Sequence, residues 1–350
     1  MGTWRSAWAV FVCLLLSAGC GKVQAPDGSD ADAANAADID GAPDRDDGAI
    51  ELDAAPGPFE SIVVADEGNI LSVFAIDDEG DVAPQRTITG VTTLLNNPYG
   101  VGFAEPTQEI IVANFGAPSI SFFPFDGMGD IAPTREITGG TTMLGSAAGI
   151  AHDRITDEVY ACDETGAYAV FARTDTGDVG PTRRVAGATT GIMGCDGILF
   201  DATKNEVYVL DGRSSSVRVF RRTADGDVAP KRFIAGAATM LGYPSRGVLD
   251  LEHGEIIVAD EGSTRGVLVF PLTADGDVAP ARIISGAATT FSSPVDVVLD
   301  PTRDELLVAD RGVSGILVFG RTDEGDVAPR RQIVGASTGF STPSALVLVR

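Results

Sequence analysis

The sequence predicts an all-β chain folded as a six-bladed β-propeller with four antiparallel strands per blade, and three observations predict it. First, the frame Gly-Asp-Val-Ala-Pro-x-Arg at Gly80–Arg86 returns, with small variations, at Gly129, Gly177, Gly226, Gly276 and Gly325, at intervals of 48 to 50 residues. Self-similarity of that length marks solenoids, propellers or arrays. Second, each unit holds four short runs of Val, Ile, Leu and Phe separated by Gly, Pro and Asp. In the last full unit these are 293–300, 304–310, 315–319 and 331–335. Such runs read as strands, no helical period of 3.6 runs through the body, and four strands per repeat make one propeller blade. Third, the body opens with only three strands, 61–65, 71–76 and 86–89, and ends on an orphan first strand, 344–349. Three plus one completes a sixth blade, so the C-terminal strand is expected to join the N-terminal ones and cover the sheet edges an open ring would expose.

The body occupies residues 58–350. Ahead of it, residues 1–19 read as a secretory signal: Arg5 is followed by the apolar stretch Ala7–Ala18, too short to span a bilayer. It ends in Leu16-Ser17-Ala18-Gly19-Cys20, which resembles the lipobox of bacterial lipoproteins, with Ser17 where that family has an aliphatic residue. The resemblance implies cleavage before Cys20, a diacylglycerol on its sulfur, and residence in the bacterial cell envelope, outside the cytoplasm, with the membrane as partner through the lipid. Residues 20–57 hold that cysteine and a tether rich in Asp, Ala and Gly with almost no large apolar side chain, a composition that does not support a packed core.

The formal charge of −25 and a sequence pI near 4.2 argue against nucleic acid as a partner, since basic stripes carry that affinity. The chain is expected to act as a monomer. Within the repeat, the Phe six places before each hairpin glycine (Phe74, Phe123, Phe171, Phe220, Phe270 and Phe319) reads as core between blades. The acid closing each second strand (Asp66, Asp163, Asp211, Asp260 and Asp310, with Asn114 in the second blade) reads as a turn cap. The hairpin Arg is expected to pair with carboxylates of its own or the next blade.

The run Pro-x-Gly-Val/Ile, then a strand closing on Val-Ala-Asp, then Val-Phe, resembles the NHL repeat. Tyr99-Gly100-Val101 with Ile111–Asn114, and Ile257–Gly262 with Leu268-Val269-Phe270, carry the resemblance, which covers nearly all of 59–350. It implies the propeller and leaves the ligand open.

Strand direction puts the loop before each first strand and the loop from second to third strand at one end of the ring, with the Gly-Asp-Val-Ala-Pro hairpins at the other. Repeat length varies only in the second-to-third loops, such as 212–216 and 262–266, so that end is the expected binding face. Its axis is expected to be lined by residues at the start of the first strands, where Asp196, Arg246 and Asp296 break a bland pattern beside Tyr99. These four are the candidate ligand-binding residues, and a salt-bridged plug of the channel is the alternative. Cys162 replaces a repeat Ala and Cys195 a repeat Pro, on one face of adjacent blades, which makes them a candidate disulfide.

No H-E-x-x-H, Gly-x-Ser-x-Gly or Walker motif occurs, and His152 and His253 are the only histidines, so no catalytic residues and no metal ligands are assigned. Two readings remain. One is an anchored binding module for a protein, peptide or glycan, without a cofactor. The other is a calcium-dependent hydrolase like the six-bladed lactonases of the regucalcin and paraoxonase type, whose resemblance implies axial Glu, Asn and Asp; Asp196 and Asp296 match it and Arg246 departs from it.

Overall fold

The computed structural model describes residues 57–350; the signal segment, Cys20 and nearly all of the tether lie outside the described residues. Within them the chain forms six four-stranded antiparallel sheets, a six-bladed propeller. The first blade joins the C-terminal strand β24 (Pro343–Val349) to β1 (Ser61–Asp66), β2 (Ile70–Ala75) and β3 (Arg86–Thr89), in that order. β24 pairs with β1 from Ser61 opposite Val349 to Asp66 opposite Pro343, so the ring closes as the strand count requires. The innermost strands β24, β4 (Pro98–Ala104), β8 (Ala147–Asp153), β12 (Cys195–Asp201), β16 (Pro244–Asp250) and β20 (Pro294–Asp300) neighbour one another around the axis.

The six repeat phenylalanines are all buried between sheets, and each contributes on the order of 1.5–3 kcal/mol. The Asp at the end of the second strand ties two loops together in the five blades that have one. Asp310, for example, accepts the N–H groups of Ser292 and Ser293 ahead of β20 and those of Gly312 and Val313 in its own turn, at 2.8–3.1 Å. The hairpin Arg takes a carboxylate of its own blade, as expected, but a backbone carbonyl rather than a carboxylate of the next. Arg232 pairs with Glu206 of its own blade and donates to the Leu272 carbonyl of the next.

Two features differ from expectation. The hairpins do not stay at the far end of the ring. Each folds back along the outermost strand of the preceding blade, where its glycine N–H donates to a backbone carbonyl. Gly80 donates to Gln332, Gly129 to Thr87 and Gly276 to Phe233, each at 2.7 Å. The following Asp reaches the turn beyond that strand, as Asp130 does to Thr92 N–H at 2.7 Å and Asp81 to Ser337 N–H at 2.6 Å. The turn glycine there has no room for a side chain: a Cβ on Gly90, at φ 135°, would sit 2.3 Å from the Asp130 carboxyl carbon. The hairpin is therefore a clasp between blades. The second feature is a single 3-10 turn after four of the outer strands, at 140–142, 188–190, 237–239 and 336–338. Each is pinned by its Thr hydroxyl on the preceding Gly carbonyl, as Thr190 on Gly187 at 2.7 Å.

Deleting Pro343–Arg350 removes a strand with buried Ala345, Leu346, Leu348 and Val349 and opens an edge on β1. The expected cost is on the order of 5 kcal/mol or more, so the truncated chain aggregates or loses its cooperative melt, whereas deleting 21–57 leaves the melting temperature unchanged. Equal melting temperatures for the two truncations in a thermal scan would contradict ring closure by β24.

Candidate functional site

At the end where the innermost strands begin, their third position sets the width of the axis. In β4, β8 and β12 it is Gly100, Gly149 and Gly197. A Cβ on these would lie 2.1 Å from the Ala148 carbonyl, 2.6 Å from that of Asp196 and 2.5 Å from that of Ser245. Side chains are excluded because neighbouring strands pass so closely. The same row in β16 and β20 holds Arg246 and Asp296, which project into the throat the glycines leave, beside a residual cavity of about 70 Å³.

Tyr99 and Asp196 stand one position earlier, on β4 and β12, beside that row, and all four candidate residues are buried. The Arg246 guanidinium stacks 4.3 Å from the Tyr99 ring centroid, and that of Arg311 lies 4.7 Å from the same ring. Arg246 Nη1 donates to the Ser344 carbonyl at 2.9 Å, while its Nε and Nη2 have no hydrogen-bond partner. Asp196 accepts from Gly212 N–H at 2.8 Å and the Tyr243 hydroxyl at 3.0 Å. Asp296 accepts from Leu346 N–H at 2.8 Å. Burial pushes the Asp196 carboxyl up to about 7 and that of Asp296 up to about 6, with Arg246 opposing both. Above this layer, Arg311 bridges Glu67 at 2.9 Å and Glu261 at 3.6 Å. Arg311 and Tyr243 escaped the sequence reading, although Arg311 follows the second-strand Asp at a place where other blades carry Glu67, Glu164 and Glu261.

Below the throat the axis widens into a funnel that opens at the opposite end, away from the variable loops. Its lumen, about 350 Å³, is lined by Val101, Ile150, Ala151, Ile198, Leu199, Val248 and Val347 among others. The mouth, about 530 Å³, is lined by Phe103, His152, Phe200 and Leu251 together with Glu105, Arg154 and Arg350. Throat and lumen share Val101, Ile150, Ile198, Leu199 and Leu346, and lumen and mouth share Phe103, His152, Phe200, Leu251 and Val347, so the three form one axial channel. At the rim, Glu105 takes Arg350 at 2.7 Å and Arg154 at 3.8 Å. His152 Nε2 lies 3.0 Å from Asp157 Oδ1; His253 sits apart, against Asp250.

Cys162 and Cys195 are joined, with Cα atoms 5.0 Å apart and a separation of 33 positions in sequence. The bond links the second strand of the third blade to β12, next to Asp196. A loop of that length corresponds to roughly 3–4 kcal/mol in the chain-entropy picture.

No protein-family model matches the chain, and no curated protein matches it. Solved structures do. A protein of unknown function from Bacteroides caccae matches at TM-score 0.60 and 12% identity, over 84% of this chain and 100% of its own. A chain of a nidogen–laminin complex matches at TM-score 0.58 and 16% identity, over 83% of this chain and 98% of its own. A protein from Bacteroides fragilis assigned as a 6-phosphogluconolactonase matches at TM-score 0.55 and 16% identity, over 83% and 86%. At these identities the likeness is one of fold, and the class it defines is the β-propeller.

The buried carboxyls set a pH dependence. Both keep their protons in the folded state at pH values where the unfolded chain has released them, so the unfolded chain binds fewer protons between about pH 4 and pH 7. The layer's contribution to stability therefore falls as pH rises through that window. Asp196→Asn keeps an acceptor for Gly212 N–H and a hydrogen bond with Tyr243 while removing the charge. The variant is expected to exceed the wild type in stability at pH 8 by on the order of 2–4 kcal/mol and to match it near pH 4. Urea unfolding at the two pH values checks this, and an equal difference at both would contradict it.

Proposed function

We propose that this chain is a binding module of a bacterial cell envelope, anchored by lipid at Cys20 and holding its ligand in the axial funnel. The observation that carries the reading is the funnel itself: a mouth of about 530 Å³ leading into a lumen of about 350 Å³, the size and apolar character of a small-ligand site. Arg246 and Asp296 close its inner end, with Tyr99 stacked on the Arg246 guanidinium and Asp196 buried beside them. The signal, the lipobox-like run ending in Cys20 and the Cys162–Cys195 bridge agree in pointing to an oxidising compartment outside the cytoplasm. The NHL-like repeat fits a scaffold that presents a site rather than one chemistry.

The hydrolase alternative is less well supported. Asp196 and Asp296 are each engaged by hydrogen bonds and share the throat with a guanidinium, which repels a cation. Among the described residues no three His, Cys, Asp or Glu side chains are grouped as a metal site requires.

Two measurements test the proposal. Cys20→Ser is expected to move the protein from the membrane to the soluble extracytoplasmic fraction; a variant that still sediments with membranes contradicts the anchor. Wild-type protein isolated from its own envelope is expected to carry a small molecule detectable by native mass spectrometry, which Ala151→Phe, filling the lumen, loses. Equal retention by both contradicts the funnel as the site.

A further inference from the structure

We infer that the throat is a carboxylate site: a small carboxylic acid enters through the funnel, sets its carboxylate on Arg246 and the backbone N–H groups beside it, and shares one proton with Asp296. This rests on the funnel being the binding site and names the chemistry its inner end recognises.

The backbone supplies a ring of donors. In an antiparallel pair every second residue turns its N–H and C=O away from the partner strand. Leu346 stands opposite Val64 of β1, yet its N–H goes to Asp296 Oδ2 at 2.8 Å, so at this register the innermost strand turns its N–H to the axis. Val101, Ile150, Ile198, Gly247 and Val297 hold the same register in the other blades. The Asp296 carboxyl occupies the ring at Leu346, which shows what such a ring accepts. Val101, Ile150, Ile198 and Gly247 border the throat cavity together with Arg246. The carbonyls one layer above lie against neighbouring strands, as those of Ala148, Asp196 and Ser245 do against Gly100, Gly149 and Gly197. Convergent backbone N–H groups hold anions.

The guanidinium supplies the charge. Arg246 is buried, with Nη1 spent on the Ser344 carbonyl and with Nε and Nη2 unpartnered. Elsewhere in this protein the same Nε–Nη2 edge grips a carboxylate with both nitrogens, in Arg173 on Asp157 and in Arg303 on Asp77. That fork matches the two oxygens of a carboxylate. Neither throat acid uses it: Asp196 is taken by Gly212 and Tyr243, and Asp296 by Leu346. The cavity of about 70 Å³ exceeds the roughly 10–15 Å³ that one water requires. Its lining merges with that of the lumen, so the rest of the ligand, polar or apolar, extends toward the mouth.

Charge balance brings in the proton. Arg246 and an ionised Asp296 offset one another, and a second carboxylate in the same buried space is accommodated by one proton shared between the two acids. Burial already pushes Asp296 up to about 6, with Arg246 of β16 opposing the rise. The strands 255–260 and 305–310, also packed on β20, end in Asp260 and Asp310, both occupied by loop N–H groups. Glu255, Glu305 and Asp250 lie at the far ends and pair with Arg282, Arg331 and His253, while β24 and strand 266–271 carry no titratable side chain. Across the throat stand Tyr99 and Asp196, with Arg311 above them. Above about pH 6 the free protein must take up a proton to bind, so affinity falls as pH rises.

The experiment titrates the Cys20→Ser chain by calorimetry with butyrate, butyramide and chloride, near pH 5.5 and near pH 7.5. Expected are one butyrate per chain, an affinity roughly twentyfold lower at the higher pH, and butyramide and chloride each at least about tenfold weaker than butyrate. At the higher pH close to one proton is taken up per butyrate, read from the change in heat between buffers of different ionisation enthalpy. Asp296→Asn keeps an acceptor for Leu346 N–H and is expected to bind butyrate equally at both pH values, without proton uptake. Arg246→Gln is expected to lose binding; should it misfold, the proton count in Asp296→Asn still decides. Absence of saturable butyrate binding, equal binding of butyramide or chloride, or proton uptake that survives Asp296→Asn overturns the inference. If butyrate fails while the molecule retained from the envelope still depends on an open lumen, the carboxylate chemistry is wrong and the binding module stands. Equal retention of that molecule by Ala151→Phe removes the funnel as the site, and this inference with it.

Discussion

The molecule depends on the clasp by which each third-to-fourth-strand hairpin grips the blade before it. One glycine N–H extends the outer strand of that blade, and one Asp carboxylate collects the N–H groups of the turn beyond. Six copies run around the ring, and the copy at Gly80 and Asp81 reaches Gln332 and Ser337, which ties the first blade to the last. The ring is thus closed twice, by β24 at the axis and by a hairpin at the perimeter. The hairpin Arg adds a third link in five of the six copies, donating outward to a carbonyl of the next blade, while Arg183 pairs only with Glu158 and Tyr160 of its own blade. Hydrogen bonds of this kind are worth about 1 kcal/mol each, so the clasp acts by number and by fixing blade orientation.

With orientation fixed at the rim, the centre is free to depart from symmetry. Gly100, Gly149 and Gly197 let three innermost strands pass at distances no side chain tolerates, and Arg246 and Asp296 occupy the space on the other side. The cost of this arrangement is buried charge, visible in the raised carboxyl pKa of Asp196 and Asp296. What it produces is a channel closed at one end, and a closed end is what turns a propeller axis into a pocket with a direction.

The repeat period and the orphan strand made the blade count and the ring closure legible before any coordinates. The six phenylalanines and the second-strand acids were legible for the same reason, since the first recurs in every unit and the second in all but the second blade, which has Asn114, and only one structural role fits all copies. The clasp was not legible, because a contact between residues about 40 positions apart in a sequence repeating every 49 leaves no local pattern, and Gly-Asp suits an ordinary tight turn equally well. Asp196, Arg246, Asp296 and Tyr99 stand out in the sequence because they break the repeat. The funnel was missed because Ile150, Leu199 or Val248 reads as core in any blade: a strand packed on its neighbours shows the same run of apolar residues whether its inner face meets protein or a lumen. Loop-length variation pointed to the other end, and the structure puts the seal there.

The central claim is an axis sealed at the variable-loop end and open at the opposite end. Single added cysteines test it most directly, with the Cys162–Cys195 bridge intact and N-ethylmaleimide as the reagent. Ala151→Cys lies in the lumen, and Ser245→Cys, next to Arg246, lies in the sealed layer with no exposed surface. The account predicts that the thiol at 151 is alkylated in the folded protein and that the thiol at 245 reacts only after unfolding. Alkylation at 245 with protection at 151 would show the axis open at the other end and contradict it.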